Sequence, residues 1–275
     1  MSGIIEQITE ALQFAFIHRA LIAGCFMALG CSFLGVFLVL RRFSLIGDGL
    51  AHVSFATVAI ALLLDAQPMI VSIPLVTLAS LAILQLKEKA HVYGDASIGL
   101  VSSFGIALGV IIASTAQGFN VDLFSYLFGN ILSVSRIEVW IIGGLSMLVV
   151  LITILFYHDL FATTFDEEFA QVSKIKVKAV NRILIVLTAL IVAMGIKIVG
   201  TMLVSSLIIL PAITALQVTK SFRTTITLAG IFSTVSVVVG IFASYIMNYP
   251  SGATIVMVNF IFFISTLIVG KVKGW

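Results

Sequence analysis

The stretch "LRRFSLIGDGLAHVSFATVAIALLL", Leu40 to Leu64, decides how the chain is read. Past its arginine pair nearly every residue is apolar or small, the composition of a helix that crosses a membrane. Asp48 and, four residues on, His52 interrupt that composition. An aspartate at the centre of a bilayer helix costs roughly 2.5–3.5 kcal/mol on insertion scales. Ionisable groups that persist at such a cost face a cavity, a pathway or one another.

The rest of the chain supports the membrane reading. Of 275 residues, 61% are hydrophobic and 10% charged, and the mean hydropathy is +1.24. That balance excludes a soluble domain. The start, "MSGIIEQITEALQFAFIHRA", has no basic n-region and no small-residue cleavage site, so no removable signal peptide is expected. Cys25 and Cys31 are the only cysteines. Their spacing suits neither a zinc knuckle nor a redox pair, and they read as small apolar packing residues. The only Gly-Lys pair, Gly270-Lys271, lacks the flanking residues of a phosphate-binding loop. An ATPase that drives this protein is therefore expected on another chain, and the chain itself is not an enzyme. Neither a permanently bound cofactor nor a nucleic-acid partner is expected.

Charge clusters and turn signals divide the sequence into nine spans of one transmembrane domain, 1–275. They lie near 15–40, 44–64, 69–86, 97–116, 137–157, 180–196, 198–218, 224–247 and 251–270. The fold class is all-α, a polytopic helix bundle. Only "GIKIVG" separates spans six and seven. "NVDLFSYLFGNILSVS", 120–135, is too short and broken to cross, and reads as a re-entrant or surface helix. Basic residues follow the odd-numbered spans: Arg41 and Arg42, Lys87 and Lys89, Lys174 to Arg182, Lys220 and Arg223, Lys271 and Lys273. The positive-inside rule then puts the N-terminus outside and the C-terminus in the cytoplasm. Gly105 and Gly109 form a GxxxG pair, read as packing within one bundle rather than a dimer seam.

Residues four apart share a helix face, so Asp48 and His52 align with Ser44, Ala51 and Phe55. Counting helical rise from Arg42 puts Asp48 about 9 Å and His52 about 15 Å into the membrane, near mid-depth. Carboxylate and imidazole together are a usual donor set for divalent transition metals. The plainer reading is an ion pair that orients the helix. One helix supplies two ligands, and two copies about a two-fold axis supply four. His18 is interfacial, while His91 and His158 fall in loops, where a solvated role is expected. The longest polar insertion, Phe156 to Leu184, carries Phe161, Phe165 and Phe169 at helical spacing. It reads either as a loop helix packed on the bundle or as a short helix that docks in a partner's groove.

With these residues in view, the chain resembles the membrane permeases of bacterial ATP-binding-cassette importers for zinc, manganese and iron. "RRFSLIGDGLAHVSFATVAIA" is similar to that family's Arg-Arg-x-Ser-Leu-x-Gly-Asp-x-x-x-His signature. "DASIGLVSSFGIALGVII", "YLFGNILSVS", "FDEEFAQVSKIKV" and "VGTMLVSSLIILPAITA" resemble four further family segments in order. One departure is Lys174, where the family usually has glycine.

The resemblance implies a homodimeric permease in the bacterial cytoplasmic membrane, two cytoplasmic cassette ATPases and an extracytoplasmic metal-binding protein. It implies that 159–178 is the coupling segment on the ATPase, with Phe161, Phe165, Asp166, Glu168 and Phe169 as its contact residues. It also implies that Asp48 and His52 are a transient metal site. Zinc is the expected cargo, with manganese or iron as alternatives. A ligating histidine must be neutral and the aspartate ionised, so protonation is expected to weaken the site. A rival of another class is an ion-coupled secondary transporter that needs no ATPase, although its usual inverted repeat is not evident.

Overall fold

The structure is a computed structural model that describes residues 2–89, 93–115, 129, 131–200 and 203–272. All regular elements among these residues are helical. An amphipathic α1 (Ser2–Ala11) leads into α2 (Ala15–Leu40), α3 (Ile46–Leu63), α4 (Pro68–Lys89) and α5 (Gly94–Thr115). After a 3-10 turn, Ile131–Ser133, come α6 (Arg136–Leu155) and the short α7 (Tyr157–Phe165) and α8 (Glu167–Val172). The chain closes with α9 (Val177–Ile198), α10 (Val204–Val218), α11 (Phe222–Met247) and α12 (Ser251–Val272).

Eight of these helices are long and apolar enough to cross a membrane, and α10 is a shorter apolar helix. Together they match the nine expected spans. His91 and most of the segment 120–135 fall outside the described residues, and Gly129 and 131–135 represent the latter. The division between spans six and seven lies where α9 ends at Ile198, before Gly200 at φ 92°. Gly129 fits closely there, since a Cβ on it would lie 2.5 Å from the Gly200 nitrogen. Non-helical backbone is tolerated at membrane depth only when protein covers it.

Helices α2, α3, α9 and α10 form the interior, and α4, α5, α6, α11 and α12 pack around them. The difference is plain in burial: 67% of the apolar window of α3 is covered, against 22% for α6 and 17% for α12. Contact between α3 and α5 is the most extensive in the molecule. It is made by the GxxxG pair. A Cβ on Gly105 would sit 2.8 Å from Val53 Cα, and one on Gly109 would meet the Phe55 ring and lie 3.2 Å from Ala56 Cα. These glycines therefore pack α5 on α3 within one chain, the close approach that small residues permit in lipid.

Tight turns join the spans. At the end of α2, Arg42 N–H donates to Val39 O and Phe43 N–H to Leu38 O, with Arg42 at φ 58°. This is a Schellman cap that occupies the left-handed position with arginine. It reverses the chain between Leu40 and Ile46, so α3 begins four residues beyond Arg42.

Substituting Gly105 with Leu is expected to separate α3 from α5, since overpacking costs about 1–3 kcal/mol. Gly99 on the same helix faces open space, so Gly99→Ala should be neutral or slightly stabilising. Thermal unfolding of the detergent-purified variants checks the contrast, with a lowered midpoint for Gly105→Leu alone.

Candidate functional site: the Asp48–His52 stripe and the 157–175 segment

Helix α3 is buried on every side but one. Over its first ten residues the side chains that stay open are Asp48, His52 and Phe55. Opposite faces are sealed: a Cβ on Gly49 would collide with Ile98, and one on Gly47 would touch Ser205 and Ile208. Asp48 keeps 48% of its side-chain surface and His52 33%, and His52 Nε2 lies 3.6 Å from Asp48 Oδ2. That spacing is too long for a hydrogen bond. It leaves both donors free to turn towards a third body.

Two sequence expectations change. Ala51 is wholly buried and does not share the open face. The pair also sits lower than helical rise from Arg42 implied, because residues 41–45 form turns and α3 starts only at Ile46. Asp48 is in the first turn, about 3 Å along a helix about 27 Å long, and His52 is about 9 Å along it. The first turn suits a carboxylate, since the positive end of the helix dipole stabilises negative charge there. Among the described residues no group of three or more His, Cys, Asp or Glu side chains gathers. At this stripe a single chain thus offers two side chains of ligating type. His18 lies elsewhere, its Nε2 at 2.7 Å from Leu12 O, and His158 packs edge-on against Tyr157.

The 157–175 segment is two helices rather than one amphipathic run. It breaks at Asp166, which turns extended and caps α8 by accepting from Phe169 N–H at 2.9 Å. Phe161 is an anchor: with Tyr157, Phe165 and Phe37 it surrounds the ring of Phe222 from α11, at 5.0 Å for Phe161 itself. Phe165 and Phe169 stay 60% and 63% exposed, and Val172 82%. Glu168 is exposed beside them. The segment ends in a second Schellman cap, Lys174 N–H to Gln171 O and Ile175 N–H to Ala170 O, with Lys174 at φ 63°. That left-handed position is the reason a glycine is usual there.

A polar link, not foreseen in the sequence, joins this segment to the turn before α3. Arg41 turns inward: its Nε donates to Thr164 Oγ1 at 3.0 Å and one terminal nitrogen to Asn181 Oδ1 at 2.6 Å. Asn181 Nδ2 in turn donates to Glu167 Oε1 at 3.5 Å. The other terminal nitrogen of Arg41 is buried without a partner among the described residues. Burial pushes the Arg41 guanidinium below its ordinary range, and Glu167 acts in the opposite sense. Lys87 lies 4.1 Å over the ring of Phe43 in the same turn. A cavity of about 510 Å³ opens between the end of α4, α8 and the start of α9, with Lys87, Glu88, Glu167 and Asn181 on its walls. Thr164 and Asn181 stand 123 and 140 residues from Arg41, so nothing local in the sequence announces the contact.

Comparison with known proteins agrees with this architecture. The manganese transport system membrane protein MntC of Halalkalibacterium halodurans is 33% identical over 258 residues, 94% of this chain and 88% of its own. The high-affinity zinc uptake system membrane protein ZnuB of Haemophilus influenzae is 31% identical over 93% of this chain and 98% of its own. Among solved structures, PsaBC from Streptococcus pneumoniae in complex with Fab superposes with a TM-score of 0.86 at 32% identity, covering 96% of this chain and 95% of that one. The model of the ABC 3 transport family matches residues 13–270, and the chain belongs to that family as a multi-pass protein of the cytoplasmic membrane.

Proposed function

We propose that this chain is the permease subunit of an ATP-driven importer for a divalent transition metal, and that two copies work with two cytoplasmic ATPases and an extracytoplasmic metal-binding protein. One observation carries the reading: the single open stripe of an otherwise sealed membrane helix bears a carboxylate and an imidazole. Pairing two such stripes across a two-fold axis would give two Asp48 and two His52, a four-ligand set with no further residue needed. The reading places the Arg41 end of α2 in the cytoplasm and the N-terminus outside, from the basic residues that follow the odd-numbered spans.

Zinc is the proposed cargo, since one carboxylate and one imidazole per chain suit its mixed oxygen and nitrogen donor set. Manganese prefers more oxygen donors. The half-open side chains leave room for water, and more of the named relatives are manganese systems than zinc systems. The two cargoes are the live alternatives, and iron is the third. Release requires that the ion be held loosely, as passage needs entry without trapping.

Coupling to the ATPase is assigned to 159–178. Phe165, Phe169 and Glu168 form the outward face for the partner, while Phe161 and Asp166 hold that face in shape. Arg41 would pass movement of the segment to the root of α3, six residues before His52 is reached from Ile46. An arginine fork grips two partners at once, which a lysine cannot reproduce.

In vesicles that hold the permease and its ATPase, Asp48→Asn and His52→Ala should each cut metal uptake by at least about tenfold. Surface expression and ATPase assembly should be unchanged. Initial rates for zinc against manganese rank the cargo. Uptake at wild-type rate by both variants, or uptake without any ATPase, would overturn the reading. Arg41→Lys is expected to keep ATP hydrolysis while lowering ions moved per ATP by several-fold to about tenfold, the scale of a coupling energy of 1–1.4 kcal/mol. The ratio of transport to hydrolysis checks this, and a proportional loss of both would mean a structural role only.

A further inference from the structure

A groove runs between α2 and α6, away from α3 and from the coupling segment. Its volume is about 570 Å³, and its rim carries two arginines, Arg19 and Arg136. Below them the walls are Phe26, Trp140 and Met147, among other apolar residues, and no acidic side chain lines it. Its floor is bare. A Cβ on Gly144 would meet nothing within 4 Å, and one on Gly143 would reach only Phe26, at 3.6 Å.

The order of chemistry along the groove matches the order across half a bilayer. Arg136 is the first residue of α6, and Arg19 lies four residues into α2, about 6 Å from its start. Trp140 follows one turn below Arg136 and is 82% exposed, in the position where tryptophan sits at a membrane interface. Phe26 and Met147 lie about 10 and 16 Å deeper along their helices than Arg19 and Arg136. Cations thus stand at headgroup depth, an amphipathic ring at the interface, and an open apolar trough at acyl depth.

The two cations also need an anion. Arg19 Nε donates to Ala15 O at 3.3 Å, but its two terminal nitrogens, and all of the Arg136 guanidinium, have no partner among the described residues. Side chains forked for planar oxygen pairs bind phosphate well, and basic pockets between membrane helices take anionic headgroups. A free anion would satisfy the arginines and leave the trough beneath them unfilled. A neutral lipid would fill the trough and leave net positive charge at the rim.

We propose that this groove binds one anionic glycerophospholipid, its phosphate between Arg19 and Arg136 and an acyl chain over Gly144 against Phe26 and Met147. The lipid would fasten α6, one of the least covered helices, to the central α2. Helix α6 runs on through Phe156 alone into α7, so a lipid at one end of it steadies the segment at the other.

Native mass spectrometry of the full-length protein, titrated with phosphatidylglycerol or phosphatidylcholine of identical acyl chains, tests the site. One phosphatidylglycerol should be retained per chain, at least about tenfold more tightly than phosphatidylcholine. The double variant Arg19→Gln, Arg136→Gln should erase that preference, and Arg19→Lys, Arg136→Lys should restore part of it. Gly144→Leu, which grows into open space, should expel the lipid while both arginines remain. The double glutamine variant decides the matter if Gly144→Leu fails to fold. Equal retention of the two lipids, or a preference unmoved by the double glutamine variant, would overturn the site. So would inorganic phosphate that displaces the lipid at equal concentration, since it would mark a simple anion site. Cross-linking of the Trp140→Cys variant through that position to a second copy in native membranes would overturn it too, since a protein would then cover the groove.

Discussion

A carboxylate on a membrane helix has to be provided with a polar neighbour, and on α3 the possible neighbours are confined to one side. Gly49 brings α5 so close to the first turn of the helix that a Cβ there would collide with Ile98, and at Gly47 helix α10 lies within van der Waals contact. Gly105 and Gly109 continue the seal further along. Asp48 and His52 are left facing outward from the single chain, and among the described residues the helix dipole and each other are their compensation. In hydrocarbon that exposure would cost several kcal/mol. A polar pathway, a metal ion or a second copy of the same stripe would remove the cost.

Turn chemistry fixes where that stripe begins. Two helices end in the same hydrogen-bonded cap, with a charged residue in the left-handed position: Arg42 after α2 and Lys174 after α8. A non-glycine residue there carries a cost of about 1–2 kcal/mol. It is offset where the flanking chain is held. At Arg42 the holding is done by Arg41 and Phe43, which are tied to Thr164, Asn181 and Lys87. The cap shortens α3 by four residues at its start and thereby sets the depth of Asp48.

Much of this was legible from residues alone. Apolar runs and basic clusters gave the nine spans to within a few residues, because hydropathy in a bilayer is nearly a one-dimensional property. The i, i+4 spacing exposed the Asp48–His52 face, and the glycine pair predicted its own close contact. Depth was misjudged because a helix was assumed to run on from Arg42. Periodicity registers apolar spacing but not a left-handed turn. Ala51 was placed on the open face by angle alone, although the neighbours that cover α3 decide which edge of a face stays open. Asp166 also caps α8, a role that depends on backbone angles. In the sequence Arg41 counts only as one of the basic residues that mark the cytoplasmic side. Its inward turn depends on partners more than a hundred residues away, and no local pattern encodes them.

The segment 157–175 is attached to the bundle in two chemically different ways, and the difference bears on how motion would pass through it. Around Phe222 the attachment is aromatic, with Phe161 and Phe165 edge-on and Tyr157 tilted, at centroid distances of 5.0–5.8 Å. Such contacts are strong in sum but shallow with respect to sliding, since many offset geometries are nearly equal in energy. At Arg41 the attachment is a planar fork with two hydrogen bonds of defined direction. A displacement of about 1 Å that the aromatic cluster absorbs would stretch those bonds beyond useful length. The aromatic contact therefore keeps the segment docked while the guanidinium registers where it is. Because Arg41 sits in the turn that starts α3, a shift it registered would be delivered to the helix that carries Asp48 and His52.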